Sequence, residues 1–444
     1  MRKHWFTLLM ASICLEGLGR KYVPEIPTLV LYFVKDLVLL IGFVLFRPTL
    51  ALRSTIGRLY AGFGVVLVAA IFWTVVQMAN ANQTSWPLAL IGLRAYWFWW
   101  IAPPIIASAL REQTQKNRAI YVLAILTIGI AILAAAQFAS PADSSLNLYS
   151  VVDGEAQYAS GSGTVYATGR ARVSATFAFI SGFSDYTILV PALLLSLGLD
   201  ARSRRIRILA LTATLFSAAV LPMSGSRSSV ILGVSVLVLT VWGAGLFFTV
   251  VGRRIIVGAM AGLILATVAF PDAILGVESR FEPEETQSRV LLNLMVLPPV
   301  ALLMLDYPSM GIGTGMQQNA RAALHVPADW ETEIETQRYL VELGIPGYLL
   351  VWTAKFGLVV GLLKAYRILK RAGRPGAASA ALSYAVVTYF GYLTFDHIWE
   401  ALYFVGCGFI LAETTSVLHP PAIKEKLAPE TPSLPSRADI LTVT

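Results

Sequence analysis

Apolar runs of about twenty residues, interrupted by short polar stretches, fill most of this chain. Twenty residues at a rise of ~1.5 Å each is the length a helix needs to cross the hydrocarbon of a bilayer. The runs at 4–19, 28–46, 58–79, 88–110, 118–138, 175–199, 207–222, 227–250, 254–273, 338–363, 378–396 and 399–418 predict about twelve transmembrane helices. The first run ends in Glu16-Gly17-Leu18-Gly19-Arg20-Lys21 and not in a small-residue cleavage site, so it reads as an uncleaved span. The stretch 80–87 is a short turn, whereas 139–174 and 272–337 are long and carry turn-forming strings such as DGEAQYASGSG. Within the second, the apolar segment 288–305 reads as a re-entrant or interfacial helix. From Pro420 onward Pro421, Pro429, Pro432 and Pro435 predict a disordered tail. The expected organisation is therefore a polytopic transmembrane domain over 1–419 and a tail over 420–444, without a soluble domain or a clear internal repeat.

Composition agrees with the pattern. Of 444 residues 56% are hydrophobic and 14% charged, against roughly 25% charged in soluble domains. The fold class is an all-α integral membrane protein. Cys14 and Cys407 lie in apolar runs and His4, His325, His397 and His419 are scattered, so neither a disulfide framework nor a metal site is suggested. The net charge of +8 would suit nucleic acid, but its placement excludes that class. Arg2/Lys3, Arg47/Arg53/Arg58, Arg111/Lys116/Arg118, Arg202/Arg204/Arg205/Arg207, Arg253/Arg254, the group from Lys364 to Arg374 and Lys424/Lys426 fall at every second loop. That is the positive-inside signature, and it puts both termini in the cytoplasm.

Candidate chemistry lies where charge is retained on the other side. Lys35 and Asp36 sit roughly 10 Å into the second span. Adjacent residues on a helix do not face each other, so each needs a partner on another helix or in a cavity. Arg94 is followed by Tyr96, Trp97, Phe98, Trp99 and Trp100, an interfacial aromatic belt. The arginine itself suits either an ion pair or the planar fork of a diphosphate contact. Arg170 and Arg172 precede the sixth span, and Ser224-Gly225-Ser226-Arg227 marks an outer turn that reads as a helix cap or as an anion site. Arg170, Arg172, Arg227, Arg280, Arg289 and Arg338 all map to one side, against the positive-inside bias. Arginine suits bidentate phosphate recognition, so the expected ligand is a lipid-linked diphosphate.

The stretch Gly311–Gly347 concentrates polar groups: Glu331, Glu335, Arg338 and Glu342 recur at helical spacing into the tenth span. They form either a set of i,i+3 and i,i+4 pairs, or a site in which one carboxylate is general base for a sugar hydroxyl and Arg338 holds the diphosphate or orients the base. Gly311, Gly313 and Gly315 would let backbone approach a ligand. His397, with Asp396 and Glu400, is a second polar contributor at the last outer turn or a helix-end group.

Four segments carry a family resemblance: Glu16-Gly17 through Arg20-Lys21-Tyr22-Val23-Pro24 to Lys35-Asp36; Gly92-Leu93-Arg94-Ala95-Tyr96; Arg172 to Gly182; and Gly311–Gly347. With them the chain resembles the bacterial O-antigen polymerase and ligase superfamily, most nearly its exopolysaccharide polymerase-type members. The resemblance implies a GT-C-like polytopic bundle in the bacterial inner membrane with a large periplasmic loop before the tenth helix. It also implies a metal-independent glycosyltransferase without cofactor. Its partners would be an undecaprenyl-diphosphate glycan as donor and acceptor, membrane lipids and a chain-length regulator. Arg94, Arg227, Arg289 and Arg338 would stabilise the departing diphosphate, and Glu335 would activate the acceptor hydroxyl. Ligase members carry a His-Asn pair where this chain reads Glu333-Ile334-Glu335-Thr336, which favours polymerase over transfer to a lipid A core. Ala175 stands where glycine is usual. A transporter or flippase of lipid-linked oligosaccharide is the rival from another class, and it would show repeated halves and midplane sites.

Overall fold

The computed structural model describes residues 2–420 apart from 24, 153–154, 162–164, 167, 251, 255–256, 259–263, 265–267, 269, 279–297, 305–306, 319, 328–329, 331, 333, 392 and 395. The chain is mostly helical. In order come α1 (Trp5–Cys14), α2 (Glu16–Tyr22), α3 (Thr28–Leu45), α4 (Leu50–Tyr60), α5 (Phe63–Gln77), α6 (Trp86–Trp97), α7 (Ala102–Ala109), α8 (Gln113–Ala139), α9 (Ile180–Asp200), α10 (Arg204–Val220) and α11 (Arg227–Gly243). The short α12 (Pro271–Glu278), α13 (Pro298–Met304) and α14 (Ala320–Ala323) follow, then α15 (Glu335–Arg371), α16 (Pro375–Phe390) and α17 (His397–Leu418). One antiparallel hairpin, β1 (Leu148–Val152) with β2 (Glu155–Tyr158), stands in the first long loop.

Among the described residues seven helices are long and apolar enough to cross a membrane: 28–45, 86–109, 113–139, 180–200, 204–224, 335–371 and 397–418. An eighth arises if α4 and α5, bent by 86° at their junction, are counted as one span. This is a membrane-embedded, helical protein. The expected run 4–19 is divided at Leu15 into α1 and α2, and the sixth helix begins at Ile180 instead of 175 because Ala175 takes a positive φ of 47°. The expected span 254–273, the segment 288–305 and the tail from 421 lie largely or wholly outside the described residues.

Helix ends follow local chemistry. The Ser85 hydroxyl accepts from the Leu88 N–H ahead of α6, and the Asp396 carboxylate accepts from the Ile398 N–H ahead of α17. The core is built around α9, which is 94% buried over its apolar window, and α17, which is 78% buried. Helices α8, α10, α11 and α16 surround α9, and α7 and α15 lie along α17.

This packing separates two ends about 30 Å apart, the length of the 21-residue α9. At one end Arg118 meets His4, Lys116 pairs with Glu413, and the Asp200 carboxylate accepts the N–H groups of Gly376 and Ala377. The basic clusters of the N-terminus and of the 111–118, 200–207 and 364–374 turns thus converge. At the other end lie the starts of α9, α11, α15 and α17 and the end of α8.

Asp200→Ala removes the anchor on the first turn of α16 and should lower unfolding free energy by about 1–2 kcal/mol. Thermal unfolding of the purified protein measures this, and an unchanged midpoint would show the contact to be idle.

Candidate functional site

At the end opposite the basic clusters, α15 is broken. Gly344 takes φ 66°, ψ −174°, and Pro346 follows two residues later. The break frees backbone carbonyls, which need partners away from water. The loop after Pro308 supplies them. Ile312 N–H donates to the Val341 carbonyl at 2.9 Å, Gly313 N–H to that of Glu342 at 3.1 Å, and the Trp73 indole to that of Leu343 at 2.8 Å. In return the Ser309 carbonyl accepts from Ile345 N–H. The loop then passes so close to α6 that a Cβ on Gly92 would lie 2.4 Å from Gly315 Cα, which requires glycine there.

Glu342 ties these parts together. Its carboxylate accepts from the Tyr96 hydroxyl at 2.8 Å, Gly315 N–H at 3.0 Å, Gln317 N–H at 2.7 Å and Arg338 Nε at 3.2 Å. Arg338, 1% exposed, also donates to the Thr394 carbonyl and lies over the Tyr96 ring. Glu335 accepts from Lys355 Nζ at 2.9 Å and from both the N–H and the hydroxyl of Thr394. Lys355 sits among the Trp352 and Tyr339 rings.

The helical spacing does bring Glu335, Arg338 and Glu342 into one buried network, while Glu331 lies outside the described residues. Within it Glu335 is met by Lys355 and Thr394, and Arg338 by Glu342 and Thr394.

A second network lies beside the first. Arg94 grips Asp36 with two bonds of 2.8 Å, from Nε and one terminal nitrogen, and its other terminal nitrogen meets the Tyr32 hydroxyl at 3.0 Å and Glu400 at 3.7 Å. Of the two uses expected for Arg94, the structure shows the ion pair, with the planar fork on Asp36. Lys35 pairs with Glu16 on α2, and Glu16 also meets Arg20 at 3.6 Å and His397 at 3.5 Å. Lys35 and Asp36 thus find separate partners on separate helices.

Of the remaining cations, Arg280 and Arg289 lie outside the described residues. Arg170 meets Asp272 at 3.3 Å and the Ala139 carbonyl, and Arg172 donates to the Ser224 carbonyl at 3.2 Å, against Gly225. Arg227 opens α11 just beyond, where the Ser226 hydroxyl accepts from Ser229 N–H. The structure therefore gathers Arg170, Arg172 and the Ser224–Arg227 turn around the end of α8. Lys21 joins them: it is 1% exposed, donates to the Ser174 hydroxyl at 2.6 Å and has no carboxylate within ion-pair distance among the described residues. Burial pushes its ammonium down to about 7, with Arg20 adding to the shift. Among the described residues no group of three or more His, Cys, Asp or Glu side chains is placed to hold a metal ion.

Sequence reasoning missed Glu16, Lys355 and Thr394 as members of the two networks and Lys21 as a member of the cation group. Lys355 had a signal, being a lone cation in an apolar run. Thr394 had none, since neither its backbone nor its hydroxyl is marked by any spacing in the sequence.

Arg338→Ala should destabilise the purified protein by roughly 3–5 kcal/mol, because it leaves Glu342 buried without its cation. A thermal midpoint close to wild type would show that Glu342 is satisfied without it. Lys21 is penalised in the folded state while charged, so the penalty is complete below about pH 7 and fades as pH rises toward the ordinary lysine value. Lys21→Met should therefore be more stable than wild type at pH 6, with the difference shrinking by pH 10; parallel stability curves across that range would refute the buried charge.

No protein-family model matches this chain, and no curated protein matches it.

Proposed function

We propose that this chain is a membrane glycosyltransferase of the polymerase type. It joins undecaprenyl-diphosphate-linked repeat units into an exopolysaccharide or O-antigen at the periplasmic face of a bacterial inner membrane. The topology that goes with this reading has about twelve crossings, both termini in the cytoplasm and a large periplasmic loop before α15. One observation supports it above the others: Lys21, Arg170, Arg172 and the Ser224–Arg227 turn meet at the end of the bundle opposite the basic clusters. Positive charge held there runs against the positive-inside bias and suits an anionic group at the outer leaflet. Arg172 and Arg227 are the residues assigned to the diphosphate. They offset leaving-group charge as the anomeric C–O bond breaks, which preorganised cations do best in a water-poor site.

The break in α15 is the feature that favours a transporter, since unwound carbonyls in such proteins coordinate ions. Here the carbonyls of Val341, Glu342 and Leu343 are taken by Ile312, Gly313 and Trp73, and that occupancy weighs for the enzyme.

Purified protein incubated with lipid-linked repeat units should yield a ladder of glycan sizes. Transport of the lipid-linked unit in vesicles with no ladder would sink the proposal, and transfer to lipid A core alone would make the chain a ligase. Arg172→Ala and Arg227→Ala should each cut polymer yield at least about tenfold at matched protein level.

A further inference from the structure

The polymerase reading needs a group to take the proton of the acceptor hydroxyl, and the two carboxylates of the Gly311–Gly347 region among the described residues, Glu335 and Glu342, are already met by donors. Both are buried, and Asp36 is held by Arg94 and the Trp99 indole. His397 is placed differently. It is the first residue of α17, its side chain is 26% exposed, and its Nε2 lies 3.5 Å from Glu16 Oε1. A carboxylate facing Nε2 favours the tautomer with its N–H on that nitrogen, and Nδ1 makes no hydrogen bond among the described residues. The imidazole is held in place by the Tyr32 ring, at 4.8 Å between centroids.

The surroundings are suited to proton transfer. Glu16 is fixed by Lys35 from α3 and by Arg20 from its own helix. Asp396 precedes His397, accepts from the Ser181 hydroxyl at 2.7 Å and is approached by Asp185 from α9. Glu400, one turn on, faces Arg94. Arg20, Ser181 and His397 are all open to solvent to some degree, so this edge of the network is reachable from outside. The other histidines are elsewhere: His4 meets Arg118 at the basic end, His419 follows α17 at that end, and His325 has no carboxylate beside it among the described residues. Helix α2 also links the two halves of a reaction centre. Glu16 meets His397, and Lys21, five residues and about 7.5 Å further along the helix, belongs to the cation group.

We propose that His397 is the general base for the acceptor sugar hydroxyl and that Glu16 is the residue that positions it. This rests on the polymerase reading. The hydroxyl proton passes to Nδ1 as its oxygen forms the new bond to the anomeric carbon of the donor. The bond from that carbon to the diphosphate oxygen breaks, and the electron pair leaves on undecaprenyl diphosphate. The imidazolium is balanced by Glu16 until its proton returns to solvent.

The test uses purified full-length protein and the lipid-linked glycan extracted from cells that lack this chain. Wild type must first give a ladder; its failure to do so removes the polymerase reading and the base assignment with it. Given a ladder, His397→Gln should slow polymerisation by between about 10² and 10⁴-fold. Protection against thermal unfolding by undecaprenyl diphosphate, used as the binding probe, should be unchanged. His397→Ala should regain part of its rate with added imidazole, a readout that a structural role would not move. Glu16→Gln should retain turnover at a reduced rate with the acid limb of its pH–rate profile displaced. A ladder from His397→Gln at within about twofold of the wild-type rate, or lost activity in His397→Ala without imidazole rescue in a protein that still binds the probe, would overturn the assignment.

Discussion

A carboxylate withdrawn from water must be met by donors, and Glu342 is where that requirement binds the most chain together. Four donors reach it from α6, from the glycine loop and from its own helix. Each contact alone is worth about 1–3 kcal/mol to a charged group, but the cost of leaving the charge unmet is larger. The loop, α6 and the first turns of α15 are therefore held in one arrangement. The fold around the candidate site depends on that arrangement, because it presents Thr394 to Glu335 and closes the broken helix without exposing backbone to lipid.

The neighbouring network obeys the same rule with a different outcome. Asp36 and Arg94 satisfy each other, as do Lys35 and Glu16, yet the Glu16 end reaches an edge where Arg20 and His397 are partly exposed. Buried pairs hold the helices, and one chain of contacts runs from Asp36 inside the bundle through Arg94 and Tyr32 to His397 at its rim.

Much of the fold was legible in the sequence, for a simple reason: a bilayer demands apolar runs of a given length, and seven of the expected runs appear as spanning helices. Boundaries were less legible. The start of α9 at Ile180 follows from a backbone turn at Ala175, and the division of the first run at Leu15 has no compositional mark. At the site, periodicity placed Glu335, Arg338 and Glu342 on one stripe, but it could not say what faced them. Arg94 looked available for phosphate because its partner Asp36 lies 58 residues away and spacing carries no information across helices. Lys21 was passed over since it stood as the flank of a short first run, and only the fold brings Ser174 to it across 153 residues.

The mutual hydrogen bonding between the loop at 309–315 and the helix ends at 341–345 makes the two segments a single mechanical body. Lifting the loop would strip three backbone carbonyls of their donors at once, in surroundings that offer no water to replace them. The side bounded by α2, the start of α9 and the start of α17 is closed differently, by side chains such as Arg20, Ser181 and His397 instead of by paired backbone.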